Sequence, residues 1–252
     1  MTTERAILEI SGPEAESFLQ GLITNDIKKL DAGILYAALL TPQGKYMADF
    51  FVARQGDKVL LDVDATLVDM LATRLSMYKL RADVSIEKSA LHVHRGLGPT
   101  PKDGHTDPRN PALGWRAYRA EPQAHDPIDW NELYVAAQIP QTGVELTPDS
   151  YILEMGFERL NGVDFRKGCY VGQEVTARMK HKTELRKGLA QVAISGEAVP
   201  GTDITANGKV VGTLHSCAGE LALAYLRFDR AMPTMHAGAA TVTYTEVLTQ
   251  EI

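Results

Sequence analysis

The segment Arg166-Lys167-Gly168-Cys169-Tyr170-Val171-Gly172-Gln173-Glu174 concentrates more reactive chemistry than any other part of the sequence. Its cysteine follows a glycine and two cations and precedes an expected helix. Positive side chains and a helix N-terminus both favour a thiolate, the nucleophilic and metal-ligating form of cysteine. Gly168 and Gly172 allow tight turns that would present the sulfur. Two readings of Cys169 stand at this stage, a presented thiol or a buried, inert one. Cys217 lies at the end of a β segment and reads as packing. His92 and His94 share one face of a strand, but no third ligand at suitable spacing completes a metal site. His181 lies in the cationic run Arg178–Lys182, a solvated helix end or an attractor for an anion. No glycine-rich phosphate loop, nucleophile elbow or metalloprotease helix occurs.

These residues sit in a chain of 252 residues, long enough for two domains. Hydrophobic residues make up 44% and charged residues 23%, which excludes a disordered chain. No apolar run approaches the roughly 20 residues of a membrane span, so no membrane partner is expected. A net charge of −6 argues against nucleic acid as a partner, with tRNA the one case left open. Two cysteines and an N-terminus without an apolar leader point to a cytoplasmic protein with reduced thiols.

The elements that must position the chemistry follow from pattern. Ala6–Ile10, Ile34–Thr41, Tyr46–Arg54 and Lys58–Val63 read as strands, the last three joined by the turn signals Pro42-Gln43-Gly44-Lys45 and Gln55-Gly56-Asp57. The simplest arrangement is an antiparallel meander. Gly12-Pro13 opens a helix whose apolar face carries Phe18, Leu19, Leu22 and Ile23. A second helix is expected over Ala65–Leu80, with Leu67, Met70, Leu71 and Leu75 at helical spacing. Asp83–Glu87, Ala90–His94 and Leu113–Ala120 read as further strands, and residues 96–112, rich in proline and glycine, as a loop. Asp129 caps a short helix ending near Gln138. From 185 onward the short β segments Gly188–Ser195, Lys209–Leu214, Leu221–Leu226 and Ala240–Val247 predict a small barrel or sandwich. The fold class is therefore α+β, with one region over 1–184 and a C-terminal β-barrel over 185–252.

The stretch from Lys167 to Glu174 resembles the signature of the YgfZ family, folate-binding proteins related to the aminomethyltransferase (T-protein) of the glycine cleavage system. Leu22-Ile23-Thr24-Asn25-Asp26, Thr41-Pro42-Gln43-Gly44-Lys45, Tyr78–Val84, Gly208–Leu214 and Ala222–Leu226 are similar to other parts of that family, so the resemblance runs along the chain. It implies a ring-like arrangement in which 1–184 is a folate-binding region of two subdomains, the first ferredoxin-like. It implies tetrahydrofolate as cofactor. By comparison with the T-protein, Tyr36 and Asp49, thirteen residues apart across a hairpin, match its folate tyrosine and aspartate; Asp49 matches the residue assisting methylene transfer. Glu154 matches a carboxylate at the pterin edge, and Arg186 an arginine suited to the folate glutamate tail. A further T-protein glutamate is absent, with Ala136 in its place. The expected function is assistance in assembling or repairing iron–sulfur clusters in client enzymes. Cys169 would be the working thiol and transient cluster ligand, Lys167 and Arg166 would lower its pKa, and Gly168, Tyr170, Gly172, Gln173 and Glu174 would shape the loop. Iron–sulfur carrier or client proteins would be the partners. Cys169 and Asp49 are the catalytic candidates; a folate-dependent aminomethyl transferase is the alternative, which Asp49 supports and Ala136 and the presence of Cys169 count against.

Overall fold

Every second residue of Leu35–Leu40, Tyr46–Gln55 and Lys58–Asp64 is aliphatic or aromatic on one side, and that side builds the main core of the computed structural model. The structure describes residues 4–124, 128–182 and 185–244. Contacts divide it into two units, Met1–Ile128 with Phe157–Ala177, and Asp129–Gly156 with Arg178–Ile252.

In the first unit, strand β1 (Arg5–Ser11) leads to a short helix α1 (Ala15–Gln20) and a 3-10 turn at Ile27–Ala32. Strands β2 (Leu35–Leu40), β3 (Tyr46–Gln55) and β4 (Lys58–Asp64) then form the expected meander. Helix α2 (Val68–Lys79) follows a 3-10 turn, and β5 (Ser85–Lys88) closes the sheet. The order is β2-β3-β4-β1-β5, antiparallel throughout. The meander thus does not begin with β1, which is inserted between β4 and β5. Without the outer strand β2, the remaining order is that of two interleaved β-α-β units, the ferredoxin-like pattern expected. Leu19 of α1 and Leu71 and Leu75 of α2 pack against Leu8, Ile10, Ala37, Phe50, Leu61 and Val63, so the helices cover one face. Helix α1 is shorter than its apolar spacing suggests, because the chain leaves the helix at Gly21. Leu22 and Ile23 are buried beyond the helix end, and Ile23 bridges to Leu39.

A smaller sheet, in the order β6-β8-β7, is formed by β6 (His92–Gly96), β7 (His105–Thr106) and β8 (Trp115–Arg119). Residues 96–112, expected to be loop, supply β7 and a 3-10 turn at Pro111–Leu113. The segment is ordered by buried charge: Asp107 and Arg109 pair within it.

In the second unit, α3 (Trp130–Ala136) is capped by Asp129, whose carboxylate accepts from the backbone N–H of Asn131 and Glu132. Helix α4 (Gln173–Lys182) belongs to the first unit through Ala177 and to the second from Arg178, and the barrel strands follow it in the chain. These are β9 (Lys187–Ser195), β10 (Asp203–Ala206), β11 (Lys209–Ala218), β12 (Leu221–Arg227), β13 (Thr234–Ala237) and β14 (Ala240–Thr243). They close in the order β10-β11-β12-β9-β14-β13. Alternate residues such as Val192, Ile204, Leu214, Ala224, Met235 and Val242 fill the interior. Strands β10 and β13 were not expected from the sequence. The end of the last predicted strand, residues 245–247, lies outside the described residues, as do Thr183 and Glu184 beside the expected boundary.

Candidate functional site

The face of the five-stranded sheet that turns away from α1 and α2 is polar at its centre. Tyr36 on β2 and Asp49 on β3 lie diagonally across the hairpin, since Tyr36 is opposite Phe51 and Ala38 opposite Asp49. The Tyr36 hydroxyl donates to Asp49 Oδ2 at 2.9 Å, and the Tyr46 hydroxyl donates to Oδ1 at 2.7 Å. Tyr36 is wholly buried and Asp49 is 5% exposed. Burial, and next the Asp49 carboxylate, raise the Tyr36 phenol well above its ordinary value, so it stays a donor. Its ring stacks on Phe157, with centroids 5.0 Å apart. Tyr36 therefore holds Asp49 in place from within the packing. The second holder, Tyr46, was named in the sequence only as part of the strand. Replacing Tyr46 by Phe is expected to cost about 1–2 kcal/mol, because a buried carboxylate loses one of its donors; urea denaturation measures it.

The same face carries a buried ionic row. Asp62, with no exposed side-chain surface, pairs with Arg5 at 2.6 Å and Arg116 at 2.7 Å. Arg116 also faces Asp107 at 3.5 Å, and Arg109 grips Asp107 through two guanidinium nitrogens. Arg109 lies over the rings of Tyr36 and Phe51, and Arg116 lies 3.7 Å from the Phe51 centroid. Sequence reasoning missed this row. The alternation of Trp115, Arg116, Ala117, Tyr118 and Arg119 on one strand was the available signal.

The cysteine motif is fastened to the same unit from two sides. The turn of the β2–β3 hairpin meets Gly172 so closely that a Cβ there would lie 2.6 Å from the Thr41 carbonyl oxygen. Gly172 has φ +82 and Gly44, facing Val175, has φ +75, so both need glycine for conformation and for space. From the other side, Lys167 donates to the carbonyl oxygens of Gln20, Ile23 and Asn25 at 2.8, 2.6 and 3.0 Å. Burial lowers its pKa to about 8, against the attraction of Asp26 and Asp164. Tyr170 is buried, which raises its phenol to about 12, and its ring lies 5.1 Å from the Lys167 ammonium. Cys169 itself is exposed, as are Gly168, Arg166 and Glu174. Glu174 places its charge in the first turn of α4, and the Gln173 side chain reaches back to the Gly168 carbonyl at 3.5 Å. The reading of Cys169 as a thiol in aliphatic packing is thereby set aside. Cys217 is half-buried, and burial raises its pKa.

In the second unit, Glu154 is 8% exposed. It accepts from the Tyr225 hydroxyl at 2.6 Å and faces the Lys187 ammonium at 3.7 Å. Arg186 is exposed. Among the described residues no three histidines, cysteines or acids gather as a metal site, and His94 spends Nε2 on the Glu121 carbonyl at 2.7 Å.

The donor chemistry fits a folate in one respect. Both acids accept from phenols, Asp49 from Tyr36 and Tyr46 and Glu154 from Tyr225, and a carboxylate is the acceptor that the N–H groups of a pterin call for.

Comparison with solved structures defines the class. The chain matches the glycine cleavage system aminomethyltransferase T from Bartonella henselae with a TM-score of 0.77, over 96% of this chain and 83% of that one. At 12% identity this shows a shared fold, the aminomethyltransferase T architecture. Residues 186–247 match the family model described as CAF17, C-terminal beta-barrel domain. The chain is 30% identical to the mouse protein "Iron-sulfur cluster assembly factor IBA57, mitochondrial", over 92% of this chain and 78% of that protein. It is 28% identical to the human protein of that name over 94% and 79%, and 30% identical to the Mycosarcoma maydis homolog over 73% and 54%. It belongs to the IBA57 family of iron–sulfur cluster assembly factors. It spans about four fifths of the mammalian relatives and about half of the fungal one.

The cytoplasmic expectation is corrected by these relatives, each of which is named mitochondrial. Cysteine usage separates reducing from oxidising compartments, and does not separate one reducing compartment from another. No helix among the described residues is long and apolar enough to cross a membrane.

Proposed function

We propose that this protein assists assembly or repair of iron–sulfur clusters in client enzymes, with Cys169 as its working thiol and a reduced folate as ligand. The observation that carries the reading is the family membership, together with the exposure of Cys169 on a fastened loop. The motif's resemblance to the YgfZ signature supports it further. Cys169, on losing its proton, would donate a sulfur ligand to iron of a cluster in transit. A [2Fe–2S] unit needs about four protein ligands, and one exposed thiol supplies a single one. The remaining ligands would come from a carrier or client protein, which makes cluster contact transient and shared.

Asp49, held by Tyr36, would accept N–H groups of a pterin; the resemblance to the T-protein gives Glu154 the pterin edge and Arg186 the anionic glutamate tail. Bound tetrahydrofolate would supply nitrogen atoms able to accept a one-carbon unit. Asp49, already tied to two tyrosines, would serve there as an acceptor that orients the ring.

The test is maturation of a cluster-dependent client in cells or extracts supplied with Cys169→Ser. We expect client activity to fall at least about tenfold, because serine oxygen is a poor iron ligand beside thiolate, with folding and melting temperature unchanged. Full client activity would refute the thiol role. Isothermal calorimetry with tetrahydrofolate, on the wild type and Asp49→Asn, tests the ligand separately.

A further inference from the structure

We propose that Lys167 is a positioning residue for Cys169, anchoring the turn that carries the thiol rather than activating it through charge. This rests on the reading of Cys169 as the working thiol.

The ammonium of Lys167 points inward. Its three N–H donors meet three carbonyl oxygens, those of Gln20, Ile23 and Asn25, and the residue is 6% exposed. Three acceptors for three donors is the full capacity of an ammonium group. Those carbonyls belong to one short segment, which is tied to the motif's own approach by further bonds. The Thr24 hydroxyl donates to the Gly162 carbonyl at 2.6 Å, and Asn25 Nδ2 donates to the Asn161 carbonyl at 2.7 Å. The Asp164 N–H donates to the Thr24 carbonyl at 3.0 Å. Beyond Asp164, the Lys29 ammonium pairs with its carboxylate at 2.7 Å. Residues 161–167 are thus laced to residues 20–29, and Lys167 is the last tie before the exposed Gly168-Cys169. The lysine's position in sequence suggests a charge beside the thiol; its bonds show a side chain committed elsewhere.

The test compares wild type, Lys167→Met and Lys167→Arg, with Leu75→Ala in α2 as a control of matched melting temperature. Two readouts are used, tryptic cleavage after Arg166, a site that every variant keeps, and the pH profile of Cys169 alkylation by iodoacetamide, followed by mass spectrometry. If the lysine anchors the turn, cleavage rises about tenfold in Lys167→Met, since proteolysis follows the population of the opened segment, and the control stays near wild type. The alkylation midpoint stays where it is. Unchanged cleavage overturns the proposal. So does a rise of the midpoint by about half a pH unit or more, the mark of a lost neighbouring charge. Should Lys167→Met not fold, Lys167→Arg carries the same reading. Its planar fork keeps the charge without matching three converging carbonyls, so a smaller rise, roughly threefold, is expected. Neither readout depends on cluster chemistry, so failure here leaves the thiol reading standing, and a failed maturation assay leaves the anchoring role standing.

Discussion

Replacing Arg116 by alanine is expected to remove about 3–5 kcal/mol of stability, because it leaves buried carboxylates short of a counter-charge. Asp62 has no exposed side-chain surface and Asp107 is 3% exposed. Arg116 stands between them, at 2.7 Å from one and 3.5 Å from the other. Arg5 and Arg109 would remain, one for each acid, yet the Phe51 ring would also lose the guanidinium against its face. The acid response follows from the same row. Burial opposes ionisation of Asp107, but Arg109 and Arg116 outweigh it and hold its pKa below the ordinary 3.8. A carboxylate with a lowered folded-state pKa stabilises at neutral pH and loses that contribution as pH falls below 3.8 through the folded value. Urea melts from neutral to strongly acid pH should show stability falling in that window. In Arg116→Ala the fall from Asp107 should be smaller and end at higher pH, since a weaker depression narrows the window below 3.8. A variant as stable as wild type would show the row to be dispensable.

Gly172→Ala is expected to cost about 2–4 kcal/mol, more than a surface glycine substitution, for two reasons that add. Its φ of +82 disfavours any Cβ, and the Cβ would sit 2.6 Å from the Thr41 oxygen and 3.0 Å from the Leu40 side chain. Either the hairpin turn or the start of α4 must then move, and Cys169 lies three residues away on that join. Gly168 is the internal comparison. A Cβ there meets nothing within 4 Å, so Gly168→Ala should change stability by no more than about 0.5 kcal/mol. Thermal melts of the two variants side by side check both numbers; equal losses would mean that the join yields.

Much of this architecture was legible because apolar alternation and turn chemistry agree. Strands β2, β3 and β4 are long and bounded by Pro42–Lys45 and Gln55–Asp57, and the resemblance to the T-protein picked out Tyr36 and Asp49, which this hairpin brings within hydrogen-bond distance. Strands β10 and β13 escaped because each has four residues hemmed by turn residues, as in Asn207-Gly208 and Ala237-Gly238. Pairing partners around the barrel, which no local pattern encodes, make them strands. Cys169 was legible from its company of glycines and cations. The destination of Lys167 was not, because its acceptors are backbone oxygens 142 to 147 positions earlier in the chain. Backbone acceptors are blind to residue type, so no composition or spacing marks them. Arg109 was hidden in a stretch whose prolines and glycines read as loop, and Arg116 sat on an expected strand whose acidic partners, Asp62 and Asp107, lie on other elements.

Strand β2 is the outermost member of its sheet, and outermost strands invite a foreign chain to hydrogen-bond alongside them. Here the inviting groups at the strand's centre are taken. The Thr24 N–H donates to the Ala38 carbonyl, the Ala38 N–H donates to the Thr24 hydroxyl, and Asn25 Nδ2 donates to the Tyr36 carbonyl. Threonine and asparagine side chains thus imitate a neighbouring strand without being one. Peeling this short cover away would leave a hydrophobic ribbon, Leu35 to Leu40, open to self-association, so lesions in the cover should surface as aggregation during synthesis and refolding.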